Sequence, residues 1–552
     1  MLQPDEIQEA IDLTERLVRI SSVSPSEGEN RVAECLDDYF RVAGIDVLEG
    51  PHRHLPDGRR NCYASLGHGK RTLILSGHMD TVGIDEYAIL GEPAEVGLDP
   101  VRLAEVLGPR FGDRWLYGRG ALDMKGALAL CATVMARLAR AGFAERSDLR
   151  ILFLGVCDEE NASAGIREAV RFLVDLQETE GLDYLGFVNT DYTSALFPGD
   201  ESRYFYKGSI GKLLPSILIH GQTTHVGEPF SGVNPALLAA EILTDLEMNL
   251  EFCDQEEGEI TPPPTTLRLR DLKDHYDVQT PWQTHLYLNF FCYKRTPSEL
   301  MAKIESQIRA TIERVWVKTQ ELEAQWFGRL GAQSIKSYAK HHKPAVLTLE
   351  ALRADVRLAG SDPDAIIQGA LADHAQRLVA AGVDANQDRP REAAREAVRV
   401  LWEHSTLALE PGVVLYLSPP FYPGIRSEDS SPLVQALEAV AAEFSARGSE
   451  VAKEAIDTPR VQVRRYYPYI SDSSLVTLPT AIRDEIQQIE ANMPTWGRAG
   501  PPDFDLLRRL EMPVVNMGPY GFDAHTECER VDPDYSFRIL PRMMEALIER
   551  LS

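Results

Sequence analysis

The chain has 552 residues, 44% of them hydrophobic and 26% charged, and its 57 Lys and Arg against 84 Asp and Glu give a net charge of −27. Those proportions suit a folded globular protein and exclude a fibrous or disordered one. A surface this acidic repels nucleic acid and anionic lipid, so neither is an expected partner. The start, MLQPDEIQEAIDLTERLVRI, is acidic and amphipathic, with no basic segment followed by an apolar one. No apolar run approaches the ~20 residues that span a bilayer. Seven scattered cysteines without a CxxC pair fit a reducing compartment, and a cytoplasmic location is expected.

The first 200 residues alternate between helical and strand patterns. Amphipathic helices are predicted over 7–19 and 27–43, then a strand buried on both faces over 71–75 (RTLIL) and a helix over 125–141. A second buried strand follows over 149–156 (LRILFLGV), then a helix from about 163 to 176 and a strand over 185–188. This alternation predicts a mostly parallel sheet covered on both sides. The middle changes to a strand over 212–220, a helix over 234–251, strands over 265–271 and 284–293, and a long helix from 298 to about 326. That β-α-β-β-α order predicts a small two-layer domain with an antiparallel sheet. Residues from about 349 to 404 are rich in Ala, Arg and Asp and read as a helical insertion. SPPFYPG at 418–424 reads as a connection, after which α/β returns with a helix over 431–446, a strand over 512–517 and a closing helix over 541–551.

Metal-ligand residue types stand at the strand ends. RTLILSGHMDTV ends in His78 and Asp80, RILFLGVCDEEN in Asp158, Glu159 and Glu160, and YLGFVNTD in Asp191, while PVVNMGPYGFDAH puts His525 after a further strand. Ligand sites in open α/β sheets form beyond the carboxyl ends of the strands, so these groups are expected on one rim. The loop WLYGRGALDMKGAL adds Asp123 ahead of a helix. Carboxylates crowded on a rim repel one another and resist desolvation, and cations are the simple remedy. Two histidines and three carboxylates, without a thiolate, suit Zn²⁺ and also Mn²⁺ or Co²⁺. One carboxylate bridging two ions gives a co-catalytic pair about 3.5–4 Å apart, and a spare carboxylate, here Glu159 beside Glu160, serves as general base. Each element also has a plain structural alternative. The HxD can be a strand end, the DEE a helix cap, GRGALDMKG a glycine loop without phosphate-loop spacing, and Asp191 a turn residue. Their occurrence in order, at successive strand ends, favours the metal site.

The ordered set GHMDTV, GRGALDMKG, CDEEN, NTD and the late AH resembles the co-catalytic zinc amidohydrolases, the family of aminoacylase, acetylornithine deacetylase, succinyl-diaminopimelate desuccinylase and glutamate carboxypeptidase. Through HMDTV, THVGEPFSGVNP and YYPYISDSS it is most similar to the RocB-like arginine-utilisation branch. The resemblance covers most of the chain outside the helical insertion. It implies one α/β catalytic domain of residues 1–206 and 413–552, and an inserted α+β lid and dimerisation domain of residues 207–412. It also implies a dinuclear metal-dependent hydrolase that cleaves the amide of a small N-acyl amino acid, dipeptide or related compound by metal-bound hydroxide.

Carried over by motif, His78, Asp123 and Asp191 are ligands of one ion, and Asp123, Glu160 and His525 of the other. Asp80 hydrogen-bonds His78, Glu159 is general base and later proton donor, and the Asp123–Met124 peptide is cis. In IHGQTTHVGEPFSGVNPA, His225 is the lid histidine that completes a neighbouring subunit's site in a homodimer, and Asn234 lies near the substrate. The family's lid arginine falls on Phe291, counted from Pro281; Lys294 and Arg295 in CYKRTP lie nearby, and Arg295 is the candidate substrate-binding residue, with recognition of a substrate carboxylate left open. A non-catalytic binding member of the fold and a two-metal phosphodiesterase are the competing classes. Retention of Glu159 and every ligand type counts against the first, and the absence of an arginine cluster against the second.

Overall fold

In the computed structural model of the chain, residues 4–273, 275–331, 343–382, 389–450, 460–497 and 503–552 are described. They form two compact units: Met1–Ile210 with Ile425–Leu478 and Asp503–Ser552, and Gly211–Gly424 with Pro479–Pro502.

The first unit is built on an eight-stranded sheet in the order Asp46–Val47, Cys62–Leu66, Leu149–Val156, Arg71–His78, Asp183–Asn189, Val514–Asn516, Arg203–Tyr206, Val461–Arg464. The four central strands, from Leu149–Val156 to Val514–Asn516, are mutually parallel, as their unbroken apolar runs predict. Antiparallel pairings appear only toward the margins. The core gathers Leu73 and Leu75 of the sheet, Val32 and Phe40 of helix Gly28–Val42, Val134 of helix Lys125–Arg140 and Leu547 of helix Leu540–Leu551. Because the central strands share one direction, their carboxyl ends open on one edge. Among the described residues no helix is long and apolar enough to cross a membrane.

The second unit holds a five-stranded sheet in the order Thr265–Asp271, Gln283–Cys292, Gly211–His220, Gly412–Tyr422, Ala345–Thr348. The first four strands pair antiparallel and the last parallel. The expected connection at 418–424 is thus mostly strand, a correction with a visible cause. Pro419 and Pro420 lack N–H donors, and the ladder slips between Ser418 and Tyr422, where none is needed. This strand continues the second sheet to Tyr422, so the units divide at 424/425 where the sequence suggests 412/413. The described residues 479–497 also belong to the second unit: Asn492 accepts the Glu350 N–H at 3.2 Å, and Glu485 accepts the Ser298 N–H at 3.0 Å. The helix expected over 234–251 is Pro235–Leu246, cut short where Met248 turns to φ 51°.

The helical insertion makes the expected two layers into three. Helices Leu349–Leu358, Pro363–Ala380 and Arg389–Glu403 bury Leu352, Val356, Ile367, Leu401 and Trp402 against Leu218, Val414 and Tyr416 of the sheet. Residues 383–388 of the insertion lie outside the described residues. The alternate positions Ile217, Ile219, Leu286, Leu288, Val413 and Leu415 point to the opposite face and are also fully buried. Gly412 is required here, since a Cβ would stand 2.2 Å from the Trp402 ring.

Under the insertion, the His220 ring stacks on Trp402 with centroids 4.5 Å apart, and its Nδ1 accepts from Gln283 Nε2 at 2.8 Å. His285 Nε2 lies 2.9 Å from the Tyr416 hydroxyl. Burial, helped by Arg399, pushes His220 down to about 3, and burial also pushes His285 well below the ordinary imidazole range. Both therefore stay neutral when folded, while the unfolded chain takes up protons near 6.5. More protons bound in the unfolded state means stability is full above 6.5 and falls as pH drops below it. At pH 5.5 each histidine should cost about 1.4 kcal/mol. Melting temperatures of wild type and His220→Gln at pH 7.5 and 5.5 check this. The variant should lose less on acidification, and parallel pH dependences would refute the assignment.

Candidate metal centre

His78 closes its strand and Asp80 follows two residues on; Asp158, Glu159 and Glu160 follow the strand Leu149–Val156, and Asp191 follows Asp183–Asn189. Asp123 sits in the turn between the strand Leu116–Tyr117 and helix Lys125–Arg140, and His525 comes three residues after the strand Gly521–Phe522. All belong to the first unit. Three sets of side chains bring ligand atoms within 4.8 Å of one another: His78, Asp123 and Asp191; Asp123, Glu160 and His525; and His78, Glu159 and Glu160. The first two share Asp123, whose Oδ1 lies 3.0 Å from His78 Nε2 and whose Oδ2 lies 3.0 Å from His525 Nε2. His525 Nε2 is also 2.9 Å from Glu160 Oε1. The Asp123–Met124 peptide is cis.

Asp80 meets the His78 ring through its backbone rather than its side chain. His78 Nδ1 donates to the backbone carbonyl of Asp80 at 3.0 Å, while the nearer Asp80 carboxylate oxygen stands 3.7 Å away. With Nδ1 engaged by that carbonyl, Nε2 is the ring nitrogen that faces Asp123. The Asp80 carboxylate instead accepts the backbone N–H of Glu159 at 3.1 Å and of Glu160 at 2.9 Å, tying one strand end to the next. Within the DEE triplet, Asp158 does take the structural part. Its carboxylate accepts the Ala164 N–H at the start of helix Ala164–Glu180 and pairs with Arg59 at 2.7 Å.

The charges at this rim conflict. Burial raises Asp191 to about 8, with Asp123 adding to it. Burial likewise raises Asp80 to about 8 against the pull of His78. Glu159 is pushed well above the ordinary carboxyl range by burial, opposed by His78 and reinforced by Asp472, Glu160 and Asp191. Asp123 goes the other way: burial would raise it, but hydrogen bonds from His525 and His78 hold it below the usual range. His525 is raised to about 10 by its bonds to Asp123 and Glu160. Neutral imidazoles and carboxylates without a thiolate are the donor set that zinc and similar divalent ions take, and a cation relieves the conflict between carboxylates. The residues present fit two divalent ions sharing Asp123.

The three candidates from the middle of the chain lie in the second unit and are engaged there. His225 is exposed, pairs with Gln279 across a β-bridge, and accepts the Gly227 N–H on Nδ1 at 3.0 Å. Asn234 caps helix Pro235–Leu246 by accepting the Ala236 N–H at 3.0 Å. Arg295 donates to the Phe252 carbonyl at 3.1 Å, and its backbone N–H bonds Asp254 at 2.7 Å. These contacts give Asn234 and Arg295 structural duties in their own unit.

Sequence reasoning missed three buried carboxylates. Glu29 accepts the Asp158 N–H at 2.9 Å and pairs with Arg59 at 3.2 Å. Asp472, raised to about 7 by burial, lies close enough to Glu159 to oppose its ionisation. Glu529 accepts three backbone N–H groups of the Asp123 turn. Only Asp472 carried a signal, as part of YYPYISDSS.

Comparison with known proteins agrees with this architecture. The model of "Peptidase family M20/M25/M40" matches residues 74–550. Protein RocB of Bacillus subtilis (strain 168) is 30% identical over 568 aligned positions, covering 99% of this chain and 94% of that one. Acetylornithine deacetylase of Vibrio parahaemolyticus is 25% identical over 331 positions, 56% of this chain and 72% of the relative. Among solved structures, aminopeptidase PepT from Bacillus cereus superposes with a TM-score of 0.53 at 13% identity, covering 99% of this chain and 98% of that one.

Proposed function

The chain belongs to peptidase family M20/M25/M40, whose members are metal-dependent hydrolases, and on that premise we propose that it cleaves the amide bond of a small N-acyl amino acid, dipeptide or related amide at a dinuclear centre. The observation that carries the reading is the pair of 3.0 Å contacts from the two oxygens of Asp123 to two different histidines. His78, Asp123 and Asp191 would hold one ion, and Asp123, Glu160 and His525 the other, with zinc favoured by the donor set. Bound there, two divalent ions supply positive charge that acidifies a water and polarises the substrate carbonyl.

The chain's own residues do the rest. Glu159 takes a proton from the attacking water and returns it to the leaving amine. Asp80 holds the backbone of Glu159 and Glu160 in place, and its carbonyl fixes the His78 ring. A relative named for deacetylating acetylornithine supports an N-acyl amino acid substrate, and similarity to the RocB branch supports arginine or ornithine derivatives as the first to test. Seven free cysteines support a cytoplasmic setting. A homodimer is supported by the strand Thr265–Asp271, which pairs with Gln283–Cys292 on one side only among the described residues and so forms a sheet edge, with Leu267 and Leu269 exposed.

Elemental analysis with hydrolysis of an N-acyl amino acid and dipeptide panel tests the reading. Two divalent ions per chain are expected, with activity lost on chelation and restored by the metal. Full activity in protein stripped of metal would end it.

A further inference from the structure

We propose that Glu529 is a positioning residue that locks the Asp123 turn to the His525 turn, so that one carboxylate can serve two ions; the inference rests on the dinuclear reading above. Three short strands set the stage. Leu116–Tyr117 leads into the Asp123 turn and Gly521–Phe522 leads into His525. Arg530–Val531, which follows, pairs with both, through Arg530–Tyr117 and Val531–Leu116 on one side and Phe522–Arg530 and Gly521–Val531 on the other.

Glu529 stands at the entry to the middle strand and is fully buried. Its carbonyl accepts the Gly118 N–H at 3.3 Å. Its Oε1 accepts the N–H groups of Gly120 at 2.8 Å, Leu122 at 3.1 Å and Asp123 at 3.1 Å. Its Oε2 pairs with Arg119 Nη1 at 2.5 Å. The turn reaches this shape with Gly118 at φ 144° and Gly120 at φ 81°, values that glycine adopts freely. Three N–H groups converging on one oxygen form a nest for an anion, and here the chain supplies the anion itself. Such bonds to a charged acceptor are short and strong, and the Arg119 guanidinium beside them opposes the cost of burying the carboxylate.

The last of the three bonds is to Asp123 itself. Glu529 therefore sets the backbone from which that side chain reaches both His78 and His525. Three residues separate it from His525, whose half-exposed side chain has less packing of its own to hold it. A supporting residue of this kind governs placement to fractions of an ångström, the tolerance that a shared metal ligand requires.

Glu529→Gln and Glu529→Asp test this. The first keeps an acceptor oxygen but removes the charge facing Arg119; the second keeps the charge but withdraws it by one methylene. The probe is Zn²⁺ alone, in equilibrium dialysis of metal-stripped protein followed by elemental analysis. Wild type should bind two ions. The variants should bind the first nearly as wild type does and the second at least tenfold more weakly. A merely structural role would lower the melting temperature and leave the ratio of the two dissociation constants unchanged, and that result would overturn the proposal. So would failure of both variants to fold, which would make Glu529 part of the scaffold. Wild-type protein that binds fewer than two ions would overturn the dinuclear reading and this inference with it, whereas two ions in wild type and unchanged affinities in both variants would overturn the inference alone.

Discussion

Glu159→Gln is expected to keep the fold and both ions and to lower turnover by ~10²–10⁴-fold, the usual contribution of a general base. Gln has the shape of Glu but cannot accept a proton from water. The backbone of residue 159 is fixed by Asp80 whatever side chain it carries, so the substitution changes chemistry rather than placement. The setting of Glu159 also suits the task. Burial first, then the charges of Asp472, Glu160 and Asp191, raise its carboxyl against the pull of His78, and a raised carboxyl is a stronger base toward the attacking water. The competing arrangement is the set of His78, Glu159 and Glu160, in which Glu159 would itself be a ligand. The two separate in one measurement: a ligand's loss would empty a site, and a base's loss would leave two ions on a slow enzyme. A variant with half the wild-type turnover would show that another residue activates the water.

The legible part of this site follows from how buried parallel strands look in sequence. Arg71–His78 and Leu149–Val156 are covered on both faces and read as unbroken apolar runs, so the first polar residues after them mark the strand ends. Parallel neighbours then put those ends on one edge, and Asp123 and His525 complete the set from turns. What stayed hidden lacks periodicity. The strands Cys62–Leu66, Arg203–Tyr206 and Val461–Arg464 are too short to show a pattern. Gly412–Tyr422 is masked by its two prolines. Glu529 meets its partners more than 400 positions away, and nothing in the local sequence marks an acidic residue as the anion in a backbone nest. The HxD spacing suggests a side-chain bond between Asp80 and His78. It does not show that the same carboxylate is needed by two N–H groups from the neighbouring strand end, which leaves its carbonyl for the ring.

His225→Ala is expected to reduce turnover by ~10²–10³-fold with little change in metal affinity, the signature of a lost oxyanion donor. Because His225 Nδ1 accepts the Gly227 N–H, the ring proton is on Nε2, so the exposed edge of the imidazole is a donor. The ring is anchored by a main-chain bond and a β-bridge to Gln279, which limits its freedom before substrate arrives. A donor fixed in advance stabilises developing negative charge without reorganising. If the second unit pairs with another copy along Thr265–Asp271, the donor of one subunit serves the metal centre of its partner, and mixing variants reveals it. Inactive His225→Ala and inactive Glu159→Gln chains, exchanged into mixed dimers, would then form one site with both defects and one with neither. Activity should rise toward a quarter of the wild-type value per chain: half of the dimers are mixed, and half of the sites in those are intact. Absence of any rise after verified exchange, or full activity in a strictly monomeric protein, would place His225 outside the neighbouring site.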